Sequence, residues 1–271
     1  MTYSLKIAWR YFFSKSQQTV INRINVFAFL MVVVATASLF IVLSAFAGLK
    51  DFGLSFTNSF DPDYEITPIR GKYLTLSENT LSEIESLPLI ISVAQEVEEK
   101  VFLSFNEKNQ VAYLKAVSEN YTNVVGVDSL IALGNWLSFK GPEAVLGFGI
   151  AGNMSVGVFD YSTFLNITVP KKKKTGPLDQ NPFFTKPSVV VGLYQISEDL
   201  DKKYVFADLA FGQELMGLSP NSFSSIVLKT AENVTKKKLA KEISPYFKEP
   251  INLVSRSEQN AALHKMLNVE H

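Results

Sequence analysis

The stretch from Val26 to Leu49 (VFAFLMVVVATASLFIVLSAFAGL) is apolar almost throughout, and the rest of the chain is read outward from it. Between Arg23 and Lys50 lie 26 residues without a charge. A membrane-spanning helix needs about 20 such residues. A buried helix of a soluble domain keeps a polar face, whereas this one keeps only Thr36, Ser38 and Ser44. The pattern predicts a transmembrane helix over residues 23–49. A cleavable signal sequence is the rival reading, because Ala45-Phe46-Ala47 before Gly48 has the form of a cleavage site. Signal cores run about 7–15 residues. This run is longer and has 23 residues ahead of it, so a signal anchor is the better reading.

The flanking charges give the orientation. Residues 1–23 carry Lys6, Arg10, Lys15 and Arg23 and no acid. Basic residues beside a membrane helix mark its cytoplasmic side. The segment from Lys50 onward is then expected in the periplasm or at the cell exterior. It holds 22 basic and 26 acidic residues.

Composition excludes several classes of function. The chain has 271 residues, with Lys+Arg and Asp+Glu both 26, so the net charge is zero. A nucleic-acid partner calls for a basic surface, which this balance does not supply. The mean hydropathy of +0.13 suits a soluble domain carrying one membrane segment. Cysteine is absent, which removes disulfides, thiol catalysis and cysteine-ligated metal. The two histidines, His264 and His271, both lie near the C-terminus, far from any main-domain catalytic or metal site.

The N-terminal segment 1–22 is patterned. Residues 3–13 (YSLKIAWRYFF) place Leu5, Ala8, Trp9 and Phe12 at helical spacing among two cations. An aromatic and basic helix of this kind lies in the membrane interface. It serves as a simple anchor or as an elbow touching a cytoplasmic partner. Beyond the membrane helix, Leu49, Phe52, Phe56 and Phe60 fall on one helical face until Asp61-Pro62 stops the helix. A helix from about Asn22 to Phe60 is expected. The stripe packs on a neighbouring helix or faces lipid.

Residues 61–257 read as an α+β domain, in two lobes. Strands are expected at Tyr64–Pro68, Ile90–Lys100, Val101–Phe105, Val111–Val117, Glu143–Gly147, Ile167–Val169, Ser188–Ile196, Tyr204–Ala207 and Ser222–Lys229. Helices are expected at Glu78–Ser86 with Ser77 as N-cap, near Ile150–Met154, at Asp208–Met216 and at Asn233–Ile243. Asn106 to Asn109 reads as a hairpin turn. Region 118–187 reads as an insertion between the lobes. Within it, Pro170–Pro187 holds four prolines and five lysines and reads as an exposed loop or arm. Leu178, Phe183 and Phe184 are apolar residues on that polar excursion, which makes a docking element the alternative to a mobile loop.

Motifs for chemistry are mostly negative. Gly147-Phe148-Gly149-Ile150-Ala151-Gly152 matches G-x-G-x-x-G, but the acidic residue expected about 20 positions on is missing. No phosphate-binding G-x-x-x-x-G-K-[ST] loop is present. Glu96 and Glu98 share one strand face, expected to be solvated. No cofactor, no metal site and no catalytic residue is expected.

Three N-terminal stretches stand out: Ile7-Ala8-Trp9-Arg10-Tyr11-Phe12-Phe13-Ser14-Lys15, Val20-Ile21-Asn22 and Ser44-Ala45-Phe46-Ala47-Gly48-Leu49. Ala144–Asn153, Tyr204–Gly217 and Gln259–Leu267 follow them in order. Through these stretches the chain resembles the lipoprotein-releasing (Lol-type) ABC transporter permeases. The resemblance implies a macrolide-exporter-like periplasmic core of two α+β lobes. It implies a second membrane helix following residues 258–271, a second permease subunit of the same or another kind, and a cytoplasmic ABC ATPase that supplies ATP hydrolysis. The implied activity is extraction of a lipoprotein cargo from the inner membrane and its transfer to a periplasmic carrier. Pro170–Pro187 occupies the place of the family's carrier-recruiting arm. The implied carrier-binding residues are Pro170, Pro177, Leu178, Asp179, Gln180, Asn181, Pro182, Phe183 and Phe184. The implied lipid- or lipoprotein-facing residues are Phe46, Leu49, Phe52, Phe56 and Phe60. A mechanotransmission permease, which couples ATP turnover to a periplasmic hydrolase or efflux partner, is the alternative. A single-span sensor or interaction ectodomain is the other.

Overall fold

The computed structural model describes residues 3–12, 19–171 and 182–259; at 19–22 and 50–60 it describes the course of the backbone. The chain divides into two units, Met1–Leu54 and Ser55–His271. In the first, α1 (Tyr3–Phe12) precedes α2 (Thr19–Phe60), whose last turns belong to the second unit. Helix α2 has 42 residues and is about 63 Å long at 1.5 Å per residue. It begins three residues before the expected Asn22 and ends where Asp61-Pro62 was expected to stop it. Its window Arg23–Leu49 is long and apolar enough to cross a membrane, and none of that window is buried in protein. Phe46 and Leu49 are both 66% exposed. Each Å² of apolar surface left in water costs about 25 cal/mol, so exposure on this scale calls for an apolar surrounding. Thr36 hides its hydroxyl by donating to the Val32 carbonyl, 2.8 Å away.

The second unit alternates strands and helices irregularly. Strand β1 (Tyr64–Pro68) and the short β2 (Leu74–Thr75) lead to α3 (Glu78–Glu85). Ser77 caps α3, its hydroxyl accepting from the Thr80 N–H at 3.2 Å. Strand β3 (Ile90–Phe105) is one 16-residue strand, not the two expected. It turns through Asn106 (φ +52) and Glu107 directly into β4 (Lys108–Val117), with Phe105 opposite Lys108. The turn is therefore two residues, shorter than the expected four.

Helix α4 (Tyr121–Val124), a 3₁₀ turn (Val127–Leu130), β5 (Ile131–Gly134), β6 (Glu143–Gly147), α5 (Phe148–Met154), β7 (Leu165–Pro170) and β8 (Phe183–Tyr194) follow. Next come α6 (Glu198–Asp201), β9 (Tyr204–Asp208), α7 (Leu209–Met216), β10 (Ser222–Phe223) and β11 (Ser225–Thr230). The last described elements are α8 (Lys236–Ile243), a second 3₁₀ turn (Ser244–Tyr246), β12 (Ile251–Ser255) and α9 (Arg256–Gln259). Helix α8 starts later than the expected Asn233, because Asn233 holds a left-handed φ of +61° that no α-helix accepts.

Ten strands form one sheet, and part of it closes on itself. Following the pairings gives β3–β4–β9–β6–β8–β7 and back to β3. Inside this ring lie Leu103, Leu114, Leu146, Ile167 and Val205, all fully buried. Helices α5 and α7 fill the ring with Ile150, Met154, Phe211 and Leu215. On the other side of the ring strands, Phe206 packs against Trp136, Tyr194 and Tyr121, with ring centroids 5.1, 5.4 and 6.0 Å away. From β3 the sheet also runs the other way, through β11 and β1 to β12. That part carries its own core of Ile66, Ile84, Ile226, Leu228, Leu239 and Ile243, covered by α3 and α8.

The domain thus has a ring and a flanking four-stranded part, with β3 in both. Region 118–187 is not an insertion between them. It supplies β5, β6, β7 and part of β8, and β6 and β7 are members of the ring itself. The reason is long-range pairing: β6 lies between β9 and β8, strands that follow it in the chain.

At the root of the domain Arg256 ties the last strand to the first. Its N–H donates to the Asp63 carbonyl, its Nε to the Asp61 carbonyl at 3.1 Å, and its guanidinium to Asp63 Oδ1 at 2.7 Å.

Candidate docking site at the β7–β8 hairpin

Strands β7 and β8 form an antiparallel hairpin. Its register runs from Leu165 opposite Ser188 to Pro170 opposite Phe183. Pairing continues one step further, since the Lys171 N–H donates to the Pro182 carbonyl at 2.8 Å. The hydroxyls of Thr168 and Thr185 meet across the strands at 2.8 Å. Residues 183–187 are therefore strand, not the loop expected from their prolines. Proline demotes a strand locally, but here β7 supplies a partner along the whole length. At the base of the hairpin, Lys186 pairs with Glu214 of α7 and lies 4.7 Å above the Phe211 ring. That contact fixes the hairpin to the filled ring.

The outer face of this region is apolar and open. Phe102 of β3 is opposite Val111 of β4 on one side and Thr168 of β7 on the other. Val111 and Phe183 are each 51% exposed; Phe184, next in the strand and so on its opposite face, also reaches solvent. A groove of about 810 Å³ is lined by Phe102, Val111, Asn166, Thr168, Phe183 and Thr185, among others. Large apolar side chains clustered on a water-facing sheet mark interaction surfaces more often than single exposed residues do. Glu99 at the groove edge is engaged by Lys72 at 2.5 Å and by the Tyr73 hydroxyl at 3.2 Å. Burial, together with the Glu99 carboxylate, pushes the Tyr73 phenol up to about 12.

Of the residues expected to bind a carrier, Pro170, Pro182, Phe183 and Phe184 stand together at the described end of the hairpin. Pro177, Leu178, Asp179, Gln180 and Asn181 lie outside the described residues. Phe46 and Leu49 lie exposed on α2. The side chains of Phe52, Phe56 and Phe60 also lie outside the described residues. Phe102 and Val111 went unnoticed in the sequence. Their signal is an apolar residue at an outward position of each strand, legible only once the β3–β4 register is known.

The glycines of the G-x-G-x-x-G match have a packing role. A Cβ at Gly147 would stand 2.1 Å from the Asp201 carbonyl oxygen, and one at Gly149 would stand 2.6 Å from Lys202 Cγ. The end of β6 and the start of α5 press against the turn after α6, which leaves no room for side chains.

Glu96 departs from its expected solvated face. Its side chain is 1% exposed, with Oε1 accepting from Lys115 Nζ at 2.9 Å. Lys115 also stands 3.2 Å from Glu98 Oε2, which does reach solvent. Both faces of β3 are covered at this point, one by the ring core and the other by α4. Burial raises the Glu96 carboxyl, against the opposing pull of Lys115. The Lys115 ammonium is held well above its usual range, its burial outweighed by Glu96 and the neighbouring groups.

The family model of the MacB-like periplasmic core domain matches residues 26–246. The chain belongs to this family. Among solved structures, the periplasmic region of MacB from Actinobacillus actinomycetemcomitans is similar in fold. That similarity has a TM-score of 0.50 at 14% identity, over 77% of this chain and 94% of that one. The extracellular domain of the noncanonic ABC-type transporter YknZ from Gram-positive bacteria aligns with a TM-score of 0.47 at 14% identity, over 70% and 98% of the two chains. A domain of a putative permease from Porphyromonas gingivalis aligns with a TM-score of 0.45 at 9% identity, over 73% and 89%. None of the curated proteins matches the chain in sequence. Membership in the MacB-like family accounts for an α+β domain following one apolar helix.

Proposed function

We propose that the chain is a permease subunit of an ABC transporter that lifts lipoproteins out of the inner membrane and passes them to a periplasmic carrier. In this reading α2 anchors the subunit with its N-terminus in the cytoplasm, and the MacB-like domain stands in the periplasm. ATP hydrolysis belongs to a separate cytoplasmic ATPase, and the subunit itself is not an enzyme. A second permease subunit, the same or another, completes the membrane part. Phe46, Leu49, Phe52, Phe56 and Phe60 face lipid or the lipoprotein's acyl chains.

The observation that carries the reading is the hairpin. Two ring strands continue outward as β7 and β8, present Phe183 and Phe184 to solvent, and flank an apolar groove with Phe102 and Val111. An apolar patch on a rigid extension is what a soluble carrier needs for docking. The Pro170–Pro187 segment is the docking element, its lysines steering an acidic partner.

The test is binding of the host's periplasmic lipoprotein carrier to the full chain in nanodiscs. Three forms are compared: intact, lacking residues 172–181, and carrying Phe183→Ser. Binding by the intact chain, lost in both variants, supports the reading. Absence of binding by the intact chain moves the assignment to the mechanotransmission permease. Failure of an ABC ATPase to co-purify with the full-length protein would move it to the sensor ectodomain.

A further inference from the structure

The groove beside the hairpin has a charge pattern that docking of a carrier does not use. Its floor is the outer face of the ring strands. Phe102 is 44% exposed there, with Val111 opposite it on β4 and Thr168 opposite it on β7. Phe183 lines the same groove from the hairpin. The hydroxyls of Thr168 and Thr185 engage each other at 2.8 Å, so the polar atoms of that side face one another. The groove measures about 810 Å³. Sites of about 300–1,000 Å³ hold small organic ligands.

The rim carries an uncompensated cation. Lys100 lines the groove two residues before Phe102, which places it on the same face of β3, about 7 Å along the strand. The two acids that precede it are committed elsewhere. Glu98 Oε2 lies 3.2 Å from Lys115 Nζ, and Glu99 is held by Lys72 and by the Tyr73 hydroxyl. Lys100 is exposed and pairs with no carboxylate among the described residues. Its cross-strand neighbour is Tyr113, and Lys203 Nζ lies 5.1 Å from the centre of the Tyr113 ring. Two ammonium groups therefore stand beside Tyr113, at one end of an apolar floor.

We propose that the groove binds a single-chain anionic lipid. The acyl chain lies over Phe102 and Val111 against Phe183, and its carboxylate meets Lys100 with Lys203 beside it. The pattern calls for both halves of such a ligand. A small anion alone leaves the apolar floor in water, and a neutral apolar chain leaves the ammonium groups unanswered. A basic peptide is repelled by Lys100 and Lys203. A lysine suits this task, since its ammonium is a point charge on a flexible stem that can lie along apolar surface. The site goes beyond the transport reading and needs neither carrier nor cargo.

The absence of cysteine makes a site-specific test clean. Ser104→Cys, on the groove lining, carries a single bimane label on the full chain in phosphatidylcholine nanodiscs. Leu133→Cys on β5, outside the lining, carries the control label. The probes are nitroxide-labelled stearate and its methyl ester, at about pH 9, where a carboxylic acid is ionised. Stearate is expected to quench the Ser104→Cys label at about fivefold lower concentration than the ester, the scale of one exposed ion pair. Lys100→Gln brings the two probes together. Phe102→Ser raises both midpoints about tenfold, the scale of one lost apolar side chain. Equal midpoints for acid and ester in the unsubstituted groove overturn the proposal. So does quenching at Ser104→Cys no stronger than at Leu133→Cys, the result expected if a protein surface is the groove's only occupant. If Phe102→Ser fails to fold, the acid-to-ester ratio and its loss in Lys100→Gln decide.

Discussion

Two glycines five residues apart, Gly147 and Gly152, separate a packing role from a nucleotide-binding role. In a dinucleotide loop every glycine of G-x-G-x-x-G serves the ligand or the helix that receives it. Here Gly147 lies at the end of β6, and a Cβ there would stand 2.1 Å from the Asp201 carbonyl oxygen and 2.6 Å from its Cα. Both atoms are backbone, so no side-chain rotation relieves the clash. The turn after α6 must shift, and with it the Asp201 carboxylate that accepts from the Ile196 N–H at 2.8 Å. Overpacking of this kind costs about 1–3 kcal/mol. Gly152, in contrast, lies inside α5 with nothing within 4 Å of its Cβ position. Alanine there gains about 0.5–1 kcal/mol of helix propensity. For a domain of this size each kcal/mol moves the melting temperature by about 2–4 °C. Gly147→Ala is expected to lower the Tm by about 2–12 °C, and Gly152→Ala to raise it by about 1–4 °C. Thermal melts of the detergent-solubilised full chain, followed by near-ultraviolet circular dichroism, read both. Equal stability of Gly147→Ala and the wild type would refute the packing argument.

Phe206 is fully buried among three aromatic rings. Phe206→Ala should cost about 3–5 kcal/mol, while Phe102→Ala on the outer face should stay within about 0.5 kcal/mol; urea denaturation of the two variants gives the comparison. If Phe102→Ala proves as costly as Phe206→Ala, the groove face is core and not a docking surface. Tyr73, raised to about 12 by burial and Glu99, contributes stability that is present below its unfolded value near 10 and lost as pH rises through about 12. The difference between absorbance titrations of the wild type and Glu99→Gln should show the Tyr73 phenol, near 12 in the wild type, ionising at lower pH in the variant. An unchanged titration in that variant would mean that Glu99 does not act on the phenol.

Local signals in the sequence were read correctly where the physics is local. The charge-free run before Lys50 needs only length and hydropathy, and α2 follows. Ser77 is a cap whose hydroxyl accepts from the N–H of Thr80, and cap chemistry operates within one turn. The ring was not legible because two of its pairings, β4 with β9 and β6 with β8, are parallel and join distant segments. Parallel pairing needs a long crossover and leaves no turn signature. Glu96 was misread for a related reason. Alternation along β3 places it on one face with Glu98, but whether that face is wet depends on α4 folding over it, which no pattern within β3 encodes. The candidate carrier-binding segment was located by composition, yet its strand half was missed because its prolines argue locally against a strand.

The closed ring also bears on how a docking arm can work. The hairpin continues two of the strands that complete the ring, and is not a loop hung from its edge. Bending it away would break the β7–β3 pairs Phe102–Thr168, Leu103–Ile167 and Ser104–Asn166, and would expose Ile167 and Leu165 from the core. Lys186 adds a tie to α7, the helix that fills the ring. Phe183 and Phe184 are thus held by an element that cannot move without opening the core, which lowers the entropy lost when a partner binds.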